Sequence, residues 1–218
     1  MKVKWYGHAS FLITSAKGTK VITDPYEPGG YGGAISYGKI PDSADIVLVS
    51  HDHADHNFVK GLPGSPAIIK GAGSHSAKDL KIKGIATYHD DQKGSQRGSN
   101  TIFCFTIDGL QVCHLGDLGH LLTDEEAKQI GPVDVLMMPI GGLYTIDPEG
   151  ATKTMQKLNP RVTFPMHFKT ARCGFPLSQV EDFTEGKAGV KKLGGSEVEL
   201  KKETLPKSSE IMVLQPAL

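Results

Sequence analysis

The chain has 218 residues, and its 24 basic side chains balance 24 acidic ones, so that the formal net charge is zero. A hydrophobic content of 39% excludes intrinsic disorder, and the charge balance disfavours a large nucleic acid or an anionic membrane as the partner. The length fits a single domain over residues 1–218 that buries a core of its own.

Cysteine content and hydropathy bear on the compartment in which the protein works. Three cysteines are too few for a disulfide scaffold and are typical of a reducing environment. No apolar run approaches the roughly 18–20 residues of a membrane span, and the first residues lack the apolar core of a signal peptide. We therefore expect a cytoplasmic protein.

Short β-rich runs separated by turn residues predict strands in the first half of the chain. They cover residues 3–6, 11–15, 20–23, 45–50, 67–70 and 82–87. The run over 45–50 is almost continuously apolar, which is typical of a strand buried on both faces. Residues 26–39 are rich in Gly and Tyr without any periodicity, and they predict a surface loop.

A β-hairpin is predicted over residues 101–115 from its central Asp-Gly dipeptide, which favours a two-residue type I′ turn. The register around this turn places Cys104 opposite Cys113 at a non-hydrogen-bonded pair, where Cα atoms lie closest and a disulfide is possible. The other interpretation is two reduced core cysteines, and the lack of an export signal favours it.

The second half of the chain alternates helices with strands. A capping box of Thr123 and Glu126 predicts a helix over 124–130, a second helix is predicted over 148–158, and a further capping box begins at Ser178. Strands are predicted over residues 134–140, 161–166, 198–201 and 211–214. The whole pattern predicts an α/β (α+β) fold in which two sheets are covered by helices on their outer faces.

The segment with the clearest chemistry follows the buried strand over 45–50 and contains His51, His53, Asp55 and His56. In an extended segment, alternate side chains such as His51 and His53 point to one side, so that both can reach one metal ion. Asp55 and His56 follow where the chain turns, which directs them to a neighbouring position. This donor set suits a divalent cation such as zinc, and the alternative is a solvated polar loop.

Four ligands cannot complete two metal sites, and three downstream residues stand in equivalent places. His89, Asp117 and His167 each follow a predicted strand, at the edge where α/β folds place reacting groups. Any one of them alone is more often a hydrogen-bonded loop residue. Their matching positions favour a shared role as metal ligands.

These motifs resemble those of the metallo-β-lactamase superfamily of metal-dependent hydrolases, and the resemblance covers essentially the whole chain. Gly7-His8, Thr23-Asp24-Pro25 and the segment from Met138 to Gly142 are similar to a compact prokaryotic branch of zinc-dependent hydrolases related to the L-ascorbate-6-phosphate lactonase group. The resemblance implies the four-layered αβ/βα metallo-β-lactamase sandwich, with a dinuclear metal site at the rim between the sheets.

The resemblance also implies two divalent metal ions with a hydroxide between them as the nucleophile. Zinc is the first expectation, and manganese, iron and nickel are alternatives because they accept the same ligand types. Asp55 or Asp117 would accept the released proton. The implied ligands are His51, His53 and His89 for one ion, Asp55, His56 and His167 for the other, and Asp117 bridging both.

Three further residues have two interpretations each. Asp24 either orients a ligand imidazole or is a turn residue before proline. His8 either faces the site or is a buried histidine with satisfied hydrogen bonds, which we favour. His114 either competes as a ligand or, on a strand, points away from the site, and the second interpretation is favoured.

The sequence also contains candidate residues for the substrate pocket. Arg97 either binds an anionic substrate or is a solvated loop residue, and Tyr144 and Lys169 are candidates for the pocket rim. The resemblance thus favours a dinuclear hydrolase of a small ester, lactone or phosphodiester, whose substrate is a small molecule, either anionic or neutral. Iron-dependent oxidoreductase chemistry of the sulfur dioxygenase kind on the same scaffold is the alternative, followed by a non-catalytic metal-binding protein.

Overall fold

The computed structural model describes all 218 residues and contains two β-sheets with three α-helices. The strands are β1 Lys2–Gly7, β2 Ser10–Thr14, β3 Lys20–Thr23, β4 Ile46–Val49, β5 Ala67–Lys70, β6 Gly73–Ala77, β7 Leu80–Tyr88, β8 Ser99–Ile107, β9 Leu110–His114, β10 Val135–Pro139, β11 Val162–Met166, β12 Val190–Lys192, β13 Glu197–Glu199 and β14 Glu210–Val213. The helices are α1 Asp124–Ile130, α2 Pro148–Leu158 and α3 Val180–Thr184, with short 3-10 helices at Val59–Gly61 and Lys202–Thr204.

The two sheets differ in size and in strand direction. The first has six strands in the order β13-β1-β2-β3-β4-β5, and the second has eight in the order β12-β14-β11-β10-β9-β8-β7-β6. Strands β3 and β4 run parallel, as do β9, β10 and β11, and β7 shares their direction because it is separated from β9 by the antiparallel β8. The carboxyl ends of these strands therefore meet at one edge of each sheet.

The first sheet divides its apolar side chains between two hydrophobic layers. Ile13 and Leu48 pack with side chains of the second sheet in the main core, whereas their neighbours Leu12 and Val47 face a smaller cluster with Tyr26. This alternation is the two-residue period of a strand, and all of these positions are apolar because both faces are buried. The smaller cluster is covered by residues of the 26–40 loop, so this outer face is covered by loop residues, whereas we expected helices.

Most predicted elements are confirmed with small shifts of their ends. The hairpin has the predicted register with Cys104 opposite Cys113, and their Sγ atoms lie 3.7 Å apart as free thiols. The capping box of Thr123 and Glu126 opens α1 as predicted. The cap predicted at Ser178 is wrong by one residue: α3 begins after Gln179, because the Ser178 backbone is hydrogen-bonded to neighbouring loops instead.

Two strands were not predicted from the sequence. β6 contains Gly73, Ser74 and Ser76, which have low β-propensity, and it is the edge strand of the second sheet next to β7. β12 is only three residues long, Val190–Lys192, and pairs with β14 at the other edge. None of the helices has the length and apolar character that crossing a membrane requires.

A polar contact on the first sheet gives a pH-dependent prediction. The Asp42 carboxylate accepts hydrogen bonds from the Tyr6 hydroxyl at 2.5 Å and from the Lys4 ammonium at 3.2 Å. Partial burial opposes ionisation of Asp42, but these two donors hold its pKa below the usual value. We expect Asp42→Asn to lower the free energy of unfolding by about 1 kcal/mol near neutral pH.

The sign of the pH dependence follows from the direction of this shift. A carboxyl whose pKa is lower in the folded state stabilises the fold above its unfolded pKa, and the stabilisation is lost as pH falls through the folded value. The difference between wild type and Asp42→Asn should therefore be largest near neutral pH and shrink below about pH 4. Urea denaturation at several pH values measures this difference, and a difference that stays constant down to about pH 3 would contradict it.

Candidate metal centre

The loop after β4 places two groups of side chains in neighbouring positions. Amide groups of His56 and Asn57 both donate to the His53 carbonyl, at 2.9 and 3.0 Å, so the chain turns sharply directly after His53. As a result, His51 and His53 face one group of residues, and Asp55 and His56 face another. This turn is the geometry that the spacing of the motif predicts.

The first histidine cluster consists of His51, His53 and His89, whose ligand atoms lie within 4.8 Å of one another. Each ring is oriented by a fixed partner or by its neighbour. The Nδ1 atom of His89 lies 2.9 Å from the Tyr144 carbonyl, so that Nε2 faces the cluster, and His51 Nδ1 lies 2.9 Å from the Ser50 hydroxyl. Carbonyl and hydroxyl partners of this kind fix the tautomer of a metal-binding imidazole.

The second cluster consists of His8, Asp55, His56 and His167, which are all buried and also within 4.8 Å of one another. His56 Nδ1 lies 3.0 Å from Asp24 Oδ2, so that its Nε2 atom is directed into the cluster. Asp24 in turn accepts hydrogen bonds from the amide and hydroxyl of Ser50, at 2.7 and 2.6 Å. Asp24 thus connects the end of β3 to both clusters.

Asp117 lies between the two clusters. Its Oδ2 atom is 3.1 Å from His56 Nε2 and 3.3 Å from the Nε2 atoms of both His89 and His167, and it lies 3.9 Å from that of His51. The other oxygen, Oδ1, is buried without a hydrogen-bond partner. A carboxylate in this position can bind two cations at once.

A glycine makes this position of Asp117 possible. Gly116 has φ of 57°, and a Cβ atom there would overlap the Asn100 side chain and Ser50. The same Asn100 accepts a hydrogen bond from the Asp117 amide at 2.9 Å. The tight Gly116 turn after β9 therefore brings the Asp117 carboxylate to the edge where β4 also ends.

The charges of the site fit bound cations. Asp24, Asp55 and Asp117 are almost completely buried, and histidines are their only basic partners within 4.0 Å. Burial opposes ionisation of Asp117, but the charges of His167 and His56 hold its pKa well below the usual value. Burial, with the charge of His56, lowers the pKa of His51 to about 3, which leaves that imidazole neutral and able to bind a metal.

Unpartnered polar atoms in the second cluster and on Asp117 also fit a site that binds cations. The Nδ1 atoms of His8 and His167 and the Oδ1 atom of Asp117 are buried without a hydrogen bond in this structure. Buried polar atoms normally have partners, because leaving one unpaired costs about 1–3 kcal/mol. The imidazole and carboxylate donor set, with its low exposure, is one that divalent ions such as zinc accept.

His8 and His114 have opposite placements. His8 faces the site, contrary to the favoured interpretation, with Nε2 3.0 Å from Asp55 Oδ2 and its ring centroid 4.2 Å from that of His167. The turn with φ of 129° at Gly7 and 50° at His8 directs it inward. His114 instead bonds backbone groups, with Nε2 3.0 Å from the Ala9 carbonyl and Nδ1 accepting from the Gly116 amide.

A cavity of about 240 Å³ opens onto the clusters. Arg97, for which the sequence left two interpretations open, and Tyr144, a candidate for the rim, both line it, whereas Lys169 does not. The Lys169 ammonium donates hydrogen bonds to the carbonyl oxygens of Cys173 and Phe175, at 2.6 and 3.0 Å. It therefore stabilises the loop that carries Phe175. The lining residues are Tyr31, His53, Asp55, His89, Arg97, Asp117, Leu143, Tyr144, His167 and Phe175.

Tyr31 is a pocket residue that could not be identified from the sequence. Its hydroxyl donates to Asp55 Oδ1 at 3.2 Å, and its ring packs edge-on against Phe175 with centroids 5.4 Å apart. Tyr31 belongs to the Gly- and Tyr-rich loop that was predicted only as a surface loop, and it has φ of 54°. Nothing in the spacing of that loop distinguishes Tyr31 from Tyr26 or Tyr37, whose rings are buried.

Comparison with known proteins defines the class to which this fold and site belong. A family model described as a β-lactamase superfamily domain matches residues 2–167. A crystal structure of a metallo-β-lactamase superfamily protein from Thermotoga maritima aligns with a TM-score of 0.80 and 36% identity, covering 98% of this chain and 97% of that one. The chain therefore belongs to the metallo-β-lactamase superfamily, which confirms the resemblance and the fold class inferred from the sequence.

Relatives within this class make the description more specific. A UPF0173 metal-dependent hydrolase from Pelotomaculum thermopropionicum is 30% identical, covering 92% of this chain and 96% of that protein. Another, from Pyrococcus abyssi, is 31% identical over 78% of this chain and 85% of its own length. The protein is thus a metal-dependent hydrolase similar to the UPF0173 proteins, and the prediction of an enzyme of this class is confirmed.

Proposed function

We propose that the protein is a dinuclear metal-dependent hydrolase of a small ester, lactone or phosphodiester. The observation that supports this most directly is the Asp117 carboxylate, which lies between two clusters of potential ligands. His51, His53 and His89 would hold one ion, Asp55, His56 and His167 would hold the other, and Asp117 would bind both. Zinc is the ion that we expect first.

A pair of divalent ions supplies a water nucleophile of lowered pKa and Lewis acidity toward the scissile carbonyl or phosphoryl oxygen. The remaining contributions come from the chain itself. Asp24 holds the imidazole of His56 with Nε2 facing inward, and the Tyr144 carbonyl does the same for His89. The side chains of Leu143 and Phe175 supply apolar surface to the wall of the cavity.

The dimensions of the cavity support a small-molecule substrate. Its volume of about 240 Å³ lies below the roughly 300–1,000 Å³ of pockets for drug-sized ligands. Proteins that bind large nucleic acids usually carry an excess of basic residues, whereas the 24 basic residues of this chain are matched by 24 acidic ones. We further propose a cytoplasmic location, for which the three free cysteines are the support.

The number and identity of metal ions per chain test this proposal. We expect plasma mass spectrometry of gently purified protein to give about two zinc ions per chain, and about one in His53→Ala. His75→Ala is the matched control, because His75 bonds only the Gly71 carbonyl on the edge strand and should leave the metal content unchanged. A content of one iron per chain would contradict the proposal and favour the iron-dependent oxidoreductase.

A further inference from the structure

The wall of the cavity contains a cation without a partner. The guanidinium of Arg97 lies over the Tyr144 ring, 3.2 Å from its centroid, and is half-buried. No carboxylate lies within 4.0 Å of it, and its side chain forms no hydrogen bond within the chain. Arg97 is also the only lysine or arginine among the residues that line this cavity.

The loop that carries Arg97 is rigidly held. The buried carboxylate of Asp90 accepts four backbone hydrogen bonds of 2.7–3.0 Å, from the amides of residues 92, 94, 96 and 97. Burial opposes ionisation of Asp90, but these amides hold its pKa below the usual value. The Arg97 backbone is therefore fixed before any ligand binds, which reduces the entropy lost on binding.

Tyr144 links this arginine to the metal ligands. Its carbonyl oxygen lies 2.9 Å from His89 Nδ1, and its ring forms the platform beneath the Arg97 guanidinium. Stacking on an aromatic face stabilises a guanidinium and leaves its N–H edge available. That edge matches the two oxygens of a carboxylate or phosphate, and hydrogen bonds of this kind are among the strongest in proteins.

We infer that Arg97 binds a carboxylate or phosphate group of the substrate, at a place distinct from the metal ligands. Arg97 lines the same cavity as the metal-ligand candidates but belongs to neither cluster, so its guanidinium is available for a second, anionic group of the substrate. The substrate class is thus a small anionic ester, lactone or phosphodiester with a charged group beside the scissile bond. This inference rests on the proposed function. Two experiments distinguish a failure of the inference from a failure of the proposed function.

The first experiment measures binding without catalysis. Calorimetric titration of zinc-loaded protein with succinate, glutarate and adipate is compared with butyrate, valerate and caproate, which lack the second carboxylate. We expect at least one dicarboxylate to bind about 10- to 100-fold more tightly than its monocarboxylate partner. Arg97→Gln should remove this advantage and leave the monocarboxylate affinity unchanged.

Arg172→Gln is the matched control, because Arg172 is exposed on a loop outside this cavity and loses the same charge. It should keep the dicarboxylate advantage. Equal affinities for both acids in wild type, or an equal loss in both arginine variants, would overturn the inference.

The second experiment measures turnover of 5-oxotetrahydrofuran-2-carboxylate and of γ-valerolactone, a neutral lactone with the same ring and a methyl group in place of the carboxylate. We expect Arg97→Gln to lower kcat/KM for the carboxylate about 10- to 100-fold, mainly through KM, and to leave that for γ-valerolactone within about threefold. An equal loss for both lactones would overturn the inference. If no ester, lactone or phosphodiester is turned over but the dicarboxylate advantage depends on Arg97, the proposed function fails and the anion site stands.

Discussion

Asp117→Asn is expected to abolish hydrolysis, with kcat/KM falling by about 10³-fold or more, while the fold is retained. The amide has the same shape as the carboxylate but lacks the charge that faces four imidazoles across 3.1–3.9 Å. It also replaces one oxygen by an NH₂ group, which cannot bind a cation. Metal content should fall from about two ions toward one or fewer.

The same variant separates a metal-binding role from a structural one. Without metal, the Asp117 carboxylate faces the imidazoles of His56 and His167, whose charges favour its ionised form, so that its charge stabilises the fold. Metal-free Asp117→Asn should therefore unfold at a lower temperature than the metal-free wild type but remain folded, whereas a purely structural role of Asp117 would leave the metal content unchanged. Asp91→Asn is the control, because Asp91 is exposed and should change neither quantity. Two ions per chain and full activity in Asp117→Asn would refute the bridging role.

The candidate ligands could be predicted from the sequence because each depends on one local rule. His51, His89 and Asp117 all follow strands, and strands of like direction end at the same edge of a sheet. The fold brings these residues together as that rule requires. The hairpin and α1 were equally predictable, since a turn dipeptide and a capping box determine them locally.

The surroundings of the clusters could not be predicted in this way. The direction of His8 depends on the backbone of the Gly7 turn, which directs the ring to Asp55 rather than into the core. Tyr31 reaches Asp55 from a loop 24 residues away in sequence. Lys169 lies only three residues after the end of β11, but its ammonium turns toward the Cys173 carbonyl. Each of these placements is set by long-range packing that leaves no periodic signal in the sequence.

Asp24 combines the two interpretations that the sequence left open. It is a turn residue with φ of 38°, and its carboxylate also contacts His56 Nδ1 at 3.0 Å. Burial opposes ionisation of Asp24, but the hydrogen bond and charge of His56 hold its pKa below the usual value. The Asp24 side chain therefore stabilises the fold through its hydrogen bonds with Ser50, and it orients His56 in the site.

Asp24→Ala should be the most destabilising single change near the site. It leaves the amide and hydroxyl of Ser50 and the Nδ1 atom of His56 without their acceptor, in a region that excludes water. With about 1–3 kcal/mol for each buried group left unpaired, we expect the free energy of unfolding to fall by about 3–5 kcal/mol. Urea denaturation of metal-free protein measures this loss, and Asp79→Ala, at an exposed aspartate, is the control.

Asp24→Asn distinguishes orientation of His56 from simple support of the fold. The asparagine Oδ1 can still accept from the Ser50 amide, so about half of the lost stability should return. Its NH₂ group, however, donates to His56 Nδ1 and moves the imidazole proton to Nε2, the atom that faces the second cluster. Metal affinity of that cluster should then remain about 10- to 100-fold below wild type despite the recovered stability. If asparagine restores metal affinity and stability together, Asp24 supports the fold and does not set the tautomer of His56.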